Sequence, residues 1–388
     1  MSALTHPAVG LDEPIRPTAL RIDLRALCSN LDLCRRHLAA AHGQQAPAIL
    51  AVVKANAYGH GALPVARALE AKGVEWFGVA LVEEGIALRQ GGIRAPILVL
   101  GGAYEGGWEA MRAFDLCPVV FTEAHLEAAR CHGPLAVHVK VDTGMGRIGV
   151  LPEALPAFLR RAKRSAGVRV EGLLTHFANA DLADDSVTRA QIAAFEAALA
   201  EARAAGLEPR WIHLANSAAV LRMTRHLGSH TLVRPGLMLY GYPPSPELRN
   251  LGLEPVATWV TKIIHLKEVP KGFRVSYGQT WEAPRRSRIA TLPVGYADGY
   301  FRAFGNRAEV LVRGRRCPVV GRVCMDMCMV DVTSLPEVAV GEEVVLLGRQ
   351  GEEEVSADEL AGHAGTISYE ILCAIGDRVP RLVVAGAD

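Results

Sequence analysis

The chain has 388 residues, 50% of them hydrophobic and 21% charged, a globular composition that excludes disorder over most of its length. Forty-two basic residues against 41 acidic ones leave a formal charge of +1, so no global field draws the chain to nucleic acid or to an anionic membrane. No apolar run approaches the ~20 residues of a membrane span.

Residues 1–20 hold Pro7, Asp12, Glu13, Pro14 and Pro17 and no continuous apolar stretch, which argues against a secretory signal. Eight apolar runs follow, each bounded by turn residues: Ala48–Val53, Trp76–Ala80, Ile97–Leu100, Cys117–Phe121, Leu135–Val141, Val170–Thr175, Trp211–Leu214 and a weaker one over Thr231–Tyr240. Between them lie helical patterns at Ala62–Ala71, Val82–Gln90, Gly107–Phe114, Ala124–Cys131, Glu153–Lys163, Thr188–Ala205 and Ser217–His226. Strands alternating with helices imply a parallel sheet, and eight units in roughly 200–250 residues imply a (β/α)8 TIM barrel rather than an open sheet. The turn-rich Tyr242-Pro-Pro-Ser-Pro246 marks a break. After it, short alternating runs at Val256–Leu266, Ser287–Pro293, Ala308–Val312, Pro318–Val323, Met327–Val332 and Glu342–Leu347 predict a mostly β C-terminal domain. The expected division is a barrel over 1–242 and a β domain over 243–388, with the first ~24 residues able to pack with the latter. Cys28, Cys34, Cys117, Cys131, Cys317, Cys324, Cys328 and Cys373 form no C-x-x-C pair. Reduced, mostly buried thiols in a cytoplasmic protein are expected, and no metal site.

A barrel carries its chemistry at the C-terminal ends of its strands. The first strand ends in Lys54, an amine that burial would deprotonate and make nucleophilic toward an aldehyde, although a strand-end lysine can also simply reach solvent. Ala55-Asn-Ala-Tyr-Gly-His-Gly61 follows like a ligand loop. In the fifth strand, Ala136, His138, Lys140 and Asp142 alternate with valines, so Lys140 points into the barrel if the valines face the helices. A second buried amine must lose its charge, find an acidic partner or be chemically modified. Gly144-Met-Gly-Arg-Ile-Gly149, with Glu171 beyond it, fits a dinucleotide fingerprint, but it follows the fifth strand rather than the first. His176 ends the sixth strand, Asn216 and Ser217 follow the seventh, and Arg234-Pro-Gly236 and Tyr240 follow the eighth. Singly these read as a core imidazole, a helix cap and a turn; together they converge on one rim. In the β domain, Ser276-Tyr-Gly278, Gly295-Tyr-Ala-Asp-Gly299 and Cys324-Met-Asp326 read as plain hairpin turns from spacing alone.

Taken in order, Ala51-Val-Val-Lys-Ala-Asn-Ala-Tyr-Gly-His-Gly61, Asp142-Thr-Gly-Met-Gly-Arg-Ile-Gly149, Arg234-Pro-Gly236, Ser276-Tyr-Gly278, Gly295-Tyr-Ala-Asp-Gly299 and Cys324-Met-Asp326 resemble bacterial alanine racemases. The resemblance spans nearly the whole chain, and its first motif is that of fold-type III pyridoxal phosphate enzymes. It implies that Lys54 carries the cofactor as a Schiff base and acts as one of two proton-transferring bases. Tyr277 is the other, supplied by the partner chain of a head-to-tail homodimer with shared active sites. Arg234 hydrogen-bonds the pyridine nitrogen and His176 links Arg234 toward Tyr277. Tyr58, Asn216, Ser217, Gly236, Leu237 and Tyr369 bind the phosphate. Arg147 meets the cofactor's phenolic oxygen and the substrate carboxylate, and a carbamylated Lys140 orients Arg147. The Met325 backbone amide and Tyr296 line the substrate's access route. The implied substrate is alanine, converted to D-alanine for peptidoglycan or drawn on in alanine catabolism. One departure stands out: Met327 occupies a position where the family often has Gln.

Rival readings are a racemase of broader specificity, a fold-type III decarboxylase, a non-enzymatic pyridoxal phosphate carrier barrel and a nicotinamide dehydrogenase. The decarboxylases use a cysteine-centred acid rather than a Ser-Tyr-Gly base. The carrier lacks a β domain, which the residues after Tyr242 argue against.

Overall fold

Eight parallel strands form one sheet in the order β8-β7-β6-β5-β4-β3-β2-β9. They are β2 (Ala48–Val52), β3 (Trp76–Val79), β4 (Ile97–Val99), β5 (Leu116–Val120), β6 (Leu135–Lys140), β7 (Val168–Leu174), β8 (Trp211–His213) and β9 (Leu232–Val233). Their apolar runs are buried on both faces, as strands covered by helices outside and by one another inside must be. The ring closes between β8 and β9, where the Thr231 N–H donates to the Ile212 carbonyl at 2.8 Å and the Arg234 N–H to the Ala215 carbonyl at 2.8 Å. This computed structural model describes residues 15–224 and 230–384. The sequence reading of residues 1–14 and the end of the helix predicted to reach His226 lie outside the described residues.

The described chain forms two units: Leu24–Glu254, which holds the barrel, and the segment from Pro255 onward together with the residues up to Asp23. In the barrel unit the predicted helices appear at Ala62–Ala71, Val82–Gln90, Gly107–Ala113, Glu123–His132, Leu155–Arg164, Ser186–Ala204 and Ser217–Arg222. The sequence reading missed the helix Leu24–His42. Its buried Leu27, Leu31, Cys34 and Leu38 recur at helical spacing around a buried Asn30. That amide donates to the carbonyls of Leu239 and Glu254 and accepts from the Glu254 N–H. The last strand is two residues long rather than ten, because Pro235 has no N–H to pair and residues 237–240 wind into a buried 3-10 turn.

The barrel interior is packed by imidazole and indole rings. His138 of β6 lies 5.0 Å from His213 and 5.3 Å from Trp76 between ring centroids. Gly172, its β7 neighbour in register, makes the room: a Cβ there would stand 2.4 Å from two atoms of the His138 ring. That ring is held by its bond to His213. Gly172→Ala is therefore expected to destabilise the protein by about 1–3 kcal/mol, the usual cost of overpacking, seen as a lowered Tm. An unchanged Tm would show that the ring can give way.

In the other unit, β1 (Ala19–Asp23) lies between the antiparallel strand Ala257–Lys262 and the parallel strand Arg381–Val384. Ala257–Lys262 continues the sheet through Glu343–Gln350 to Glu309–Val312 and Arg315–Pro318. A second sheet joins His265–Val269, Ser287–Leu292 and Cys328–Asp331. A short hairpin pairs Arg274–Val275 with Trp281–Glu282. Two expectations are corrected. The run Val256–Leu266 is split between two strands in different sheets. Pro318–Val323 is mostly a bend around Gly321, with the strand itself at Arg315–Pro318. Helices at Ala357–Ala364 and Ser368–Ala374 were not anticipated. All eight cysteines are free thiols. Cys34, Cys117, Cys317 and Cys328 are buried, whereas Cys131 and Cys373 are exposed on helices, so half rather than most are core residues. Among the described residues no helix is long and apolar enough to cross a membrane.

Candidate active site

Lys54 stands two residues past the end of β2, after Val53. The four residues after it, Ala55, Asn56, Ala57 and Tyr58, have φ of 51, 53, 54 and 53°, a full turn of left-handed helix built without glycine. Each such residue costs about 1–2 kcal/mol relative to the right-handed form, so surrounding bonds must hold the turn. The Gly59 N–H donates to the Ala55 carbonyl at 3.0 Å and the Gly61 N–H to the Asn56 carbonyl at 2.9 Å. The Asn56 side chain accepts from the Ala62 N–H at 2.7 Å, and Glu84 accepts from the Ala55 N–H at 2.6 Å.

Arg234 is buried at the end of β9. Its Nη1 donates to the His213 carbonyl at 2.8 Å, and its Nη2 to the carbonyls of Thr175 at 2.6 Å and Leu214 at 3.0 Å. Burial lowers the guanidinium to about 9, which leaves it a cation at neutral pH. That cation sets the tautomers of its neighbours, because an arginine only donates. His213 Nδ1 lies 3.0 Å from Nη1 and must accept, so His213 carries its proton on Nε2 and gives it to His138 Nδ1 at 2.9 Å. His176 Nδ1, 3.2 Å from Nη2, must accept too, which places its proton on Nε2. Burial first, then the Arg234 charge, holds all three rings neutral: His138 is lowered to about 3, and His176 and His213 well below their usual value. Both terminal nitrogens of Arg234 are engaged, and Nε alone has no partner among the described residues.

On the same rim, Ser217 Oγ accepts from the backbone N–H groups of Gly236 at 2.9 Å and Met238 at 3.3 Å, leaving its hydroxyl proton to donate. Asn216, rather than Ser217, is the helix cap, accepting from the Ala219 N–H at 3.0 Å. A Cβ at Gly236 would meet the Tyr58 hydroxyl at 2.6 Å, so only glycine leaves this cradle open. Leu237 is buried beside it.

Lys140 at the end of β6 is 5% exposed. Burial, then the charges of Arg234 and Arg147, lowers its ammonium to about 8. The loop after it closes on itself: the Val150 N–H donates to the Lys140 carbonyl at 2.8 Å, and Asp142 Oδ1 accepts from Gly144 and Gly146 at 3.0 and 3.1 Å. The next helix starts only at Leu155, so Gly149 does not open the phosphate-binding helix that a dinucleotide fingerprint requires. Arg147 projects from this loop, exposed.

The barrel unit thus gathers Lys54, Tyr58, Lys140, Arg147, His176, Asn216, Ser217, Arg234, Gly236 and Leu237 at one end. Tyr277, Tyr296, Met325 and Tyr369 belong to the other unit. There Tyr277, 72% exposed, tips the small hairpin between Ser276 at φ 67° and Gly278 at φ 70°. Ser276 Oγ anchors it on the Arg322 carbonyl at 2.6 Å. Tyr296 and Met325 are brought together by backbone bonds from Tyr296 to the Cys324 carbonyl and from Ala297 to the Met325 carbonyl, each 3.0 Å. Met327 contributes its carbonyl to this turn, accepting from the Cys324 N–H at 2.9 Å, so the turn does not depend on a glutamine side chain there. Tyr369 is half-buried on the helix Ser368–Ala374.

Two family models match the chain: "Alanine racemase, N-terminal domain" over residues 22–244 and "Alanine racemase, C-terminal domain" over residues 256–383. The chain belongs to the alanine racemase family. It is 45% identical to an alanine racemase of Halothermothrix orenii over 94% of this chain and 96% of that one. It is 48% identical to that of Symbiobacterium thermophilum over 95% and 97%. Among solved structures, the alanine racemase of a D-cycloserine-producing Streptomyces lavendulae superposes with a TM-score of 0.89 at 36% identity, covering 97% of this chain and 99% of that one. That of Bacillus anthracis with bound L-Ala-P gives 0.89 at 37% identity, with 96% of each covered. Sequence reasoning missed the bond by which His213 joins Arg234 to His138 and the acceptor role of Glu84. His213, an inward-facing residue of the seventh barrel strand, was legible as a candidate; Glu84 looked like any acidic residue in a helix's first turn.

Proposed function

We propose that this protein interconverts L- and D-alanine with pyridoxal 5'-phosphate, in the cytoplasm, as a homodimer whose second copy brings its Tyr277 to the Lys54 rim. The observation that carries this reading is the pair of donors the fold leaves unspent at one rim: Arg234 Nε and the Ser217 hydroxyl proton, the latter beside the close approach of Gly236 to the Tyr58 hydroxyl. A flat heteroaromatic nitrogen suits the first and a phosphate suits the second. When bound, the cofactor supplies a conjugated ring that delocalises the negative charge left on the substrate α-carbon once its proton is removed.

The remaining chemistry belongs to the chain. Arg234, a cation at neutral pH, would hold the ring nitrogen unprotonated, which would moderate the electron sink and suppress transamination. Lys54 and Tyr277 take and return the α-proton on opposite faces, as inversion requires. His176, with its proton on Nε2, links Arg234 toward Tyr277 and supports proton transfer at the phenol oxygen. Tyr58, Asn216, Ser217, Gly236, Leu237 and Tyr369 hold the phosphate. Arg147 holds the substrate carboxylate and the cofactor's phenolic oxygen. Lys140, with an amine lowered to about 8, reacts in its neutral form with carbon dioxide, forming a carbamate anion and releasing a proton. That anion orients Arg147. The Met325 amide and Tyr296 line the access route.

The purified protein is expected to be yellow, borohydride to fix the cofactor on Lys54, and L-alanine to yield D-alanine faster than serine or lysine is racemised. A colourless protein that stays inactive with added pyridoxal phosphate defeats the reading. Faster turnover of serine or lysine would assign the site to a broader racemase.

A further inference from the structure

One carboxylate joins the turn after Lys54 to the loop after β3. Glu84, in the first turn of the helix Val82–Gln90, accepts the Ala55 N–H on Oε1 at 2.6 Å. Its Oε2 accepts the N–H groups of Ala80 at 2.7 Å and Leu81 at 3.1 Å. The bond to Leu81 is the ordinary reach-back of a third-position glutamate to the residue before its helix. The bond to Ala55 is not: it crosses to a different strand-end loop and grips the first residue of the left-handed turn, the one bonded to Lys54.

Packing does not supply the same restraint. A cavity of about 290 Å³ lies against this side of the turn, lined by Val53, Asn56, Ala62, Val79, Ala87 and Leu88 as well as Glu84. Ala55 itself is exposed, so hydrogen bonds rather than side-chain contact must hold it at φ 51°. β3 is also the strand that pairs with β2, so the carboxylate ties the end of the lysine strand to the end of its neighbour.

We infer that Glu84 is a positioning residue for racemisation: its carboxylate fixes the left-handed turn and with it the direction in which the Lys54 side chain leaves the barrel rim. This rests on the reading of Lys54 as the reacting amine. The role demands a carboxylate, because both oxygens face N–H donors. In Glu84→Gln one of them becomes an NH2 group pointed at a donor, and either Ala55 or the Ala80–Leu81 pair loses its acceptor.

The test uses the holoenzyme at saturating pyridoxal phosphate. In the unmutated protein, borohydride followed by peptide mapping is expected to label Lys54, and the Ala55 amide is expected to exchange with solvent slowly, as a bonded amide does. Glu84→Gln is expected to keep its far-UV circular dichroism while kcat falls on the order of 100-fold, the cost of a reacting group misplaced by about an ångström. KM for alanine stays within about threefold, because Arg147 and the other binding groups are untouched. Label absent from Lys54 in the unmutated protein overturns both this inference and the reading beneath it. Label present with kcat of E84Q unchanged, or with kcat and KM altered in parallel, overturns the inference alone. So does rapid exchange of the Ala55 amide in the unmutated protein, an outcome that holds even if the variant does not fold.

Discussion

Lys54→Ala is expected to lower racemisation by on the order of 10⁴-fold or more, since on the proposed reading it removes both a proton-transferring base and the covalent anchor of the cofactor. The fold should survive the change. The left-handed turn after Lys54 is held by backbone groups, Asn56 and Glu84, none of which uses the lysine side chain. The charge removed is also one that its neighbours oppose: Lys54 is among the cations that push Lys140 and His176 toward their neutral forms. With the cofactor removed from both proteins, Tm should therefore be nearly unchanged while turnover is lost. That pairing separates a reacting amine from a structural one, whose loss would lower both. The check is a steady-state assay in both directions beside a thermal melt. Turnover above about a tenth of the unmutated rate would remove Lys54 from the chemistry.

How much of this was legible before any coordinates depends on which forces act locally. The barrel strands were readable because burial on both faces writes an apolar run into the sequence, as in Ala48-Ile-Leu-Ala-Val52. The rim residues were readable for the complementary reason: Lys54, Lys140 and Arg234 are charges set at the ends of such runs. Helix Leu24–His42 carries a clear periodic stripe but precedes the first barrel strand, outside the alternation that organised the search. The ten-residue last strand was an overreach, because Leu237, Met238, Leu239 and Tyr240 are buried in a 3-10 turn where apolar character says nothing of backbone shape. The turn Ala55-Asn-Ala-Tyr58 could not be read at all, since no glycine announces its positive φ and one of the bonds that hold it comes from Glu84, 29 residues on. The tautomers of His138, His176 and His213 follow from one arginine placed among them by three different strand ends, a relation that exists only in the folded chain.

Tyr277→Phe is expected to depress racemisation on the order of 10³-fold while the cofactor stays bound and the protein stays yellow. The hairpin tip that presents this residue is shaped by the backbone: Ser276 and Gly278 take positive φ, and Ser276 Oγ is tied to the Arg322 carbonyl. Phenylalanine keeps the ring on that frame and deletes only the hydroxyl. Losing one O–H there removes at most the proposed bond from His176 Nε2–H and should move Tm little. Direction-specific loss gives the sharper readout. Two bases on opposite faces mean that each enantiomer presents its α-proton to a different one. In Tyr277→Phe, Lys54 still serves its own face, so one enantiomer of alanine should exchange its α-hydrogen with deuterated solvent without inverting, and the other should not exchange. In Lys54→Ala, any exchange that remains should show the reverse preference. If both enantiomers exchange at equal rates in Tyr277→Phe, or racemisation continues near the unmutated rate, a single group or a solvent molecule is working both faces and the phenol is not the second base. The outcome also bears on assembly, since mixing Tyr277→Phe with Lys54→Ala should restore one of the two sites in each mixed dimer only if each site draws its lysine and its tyrosine from different copies.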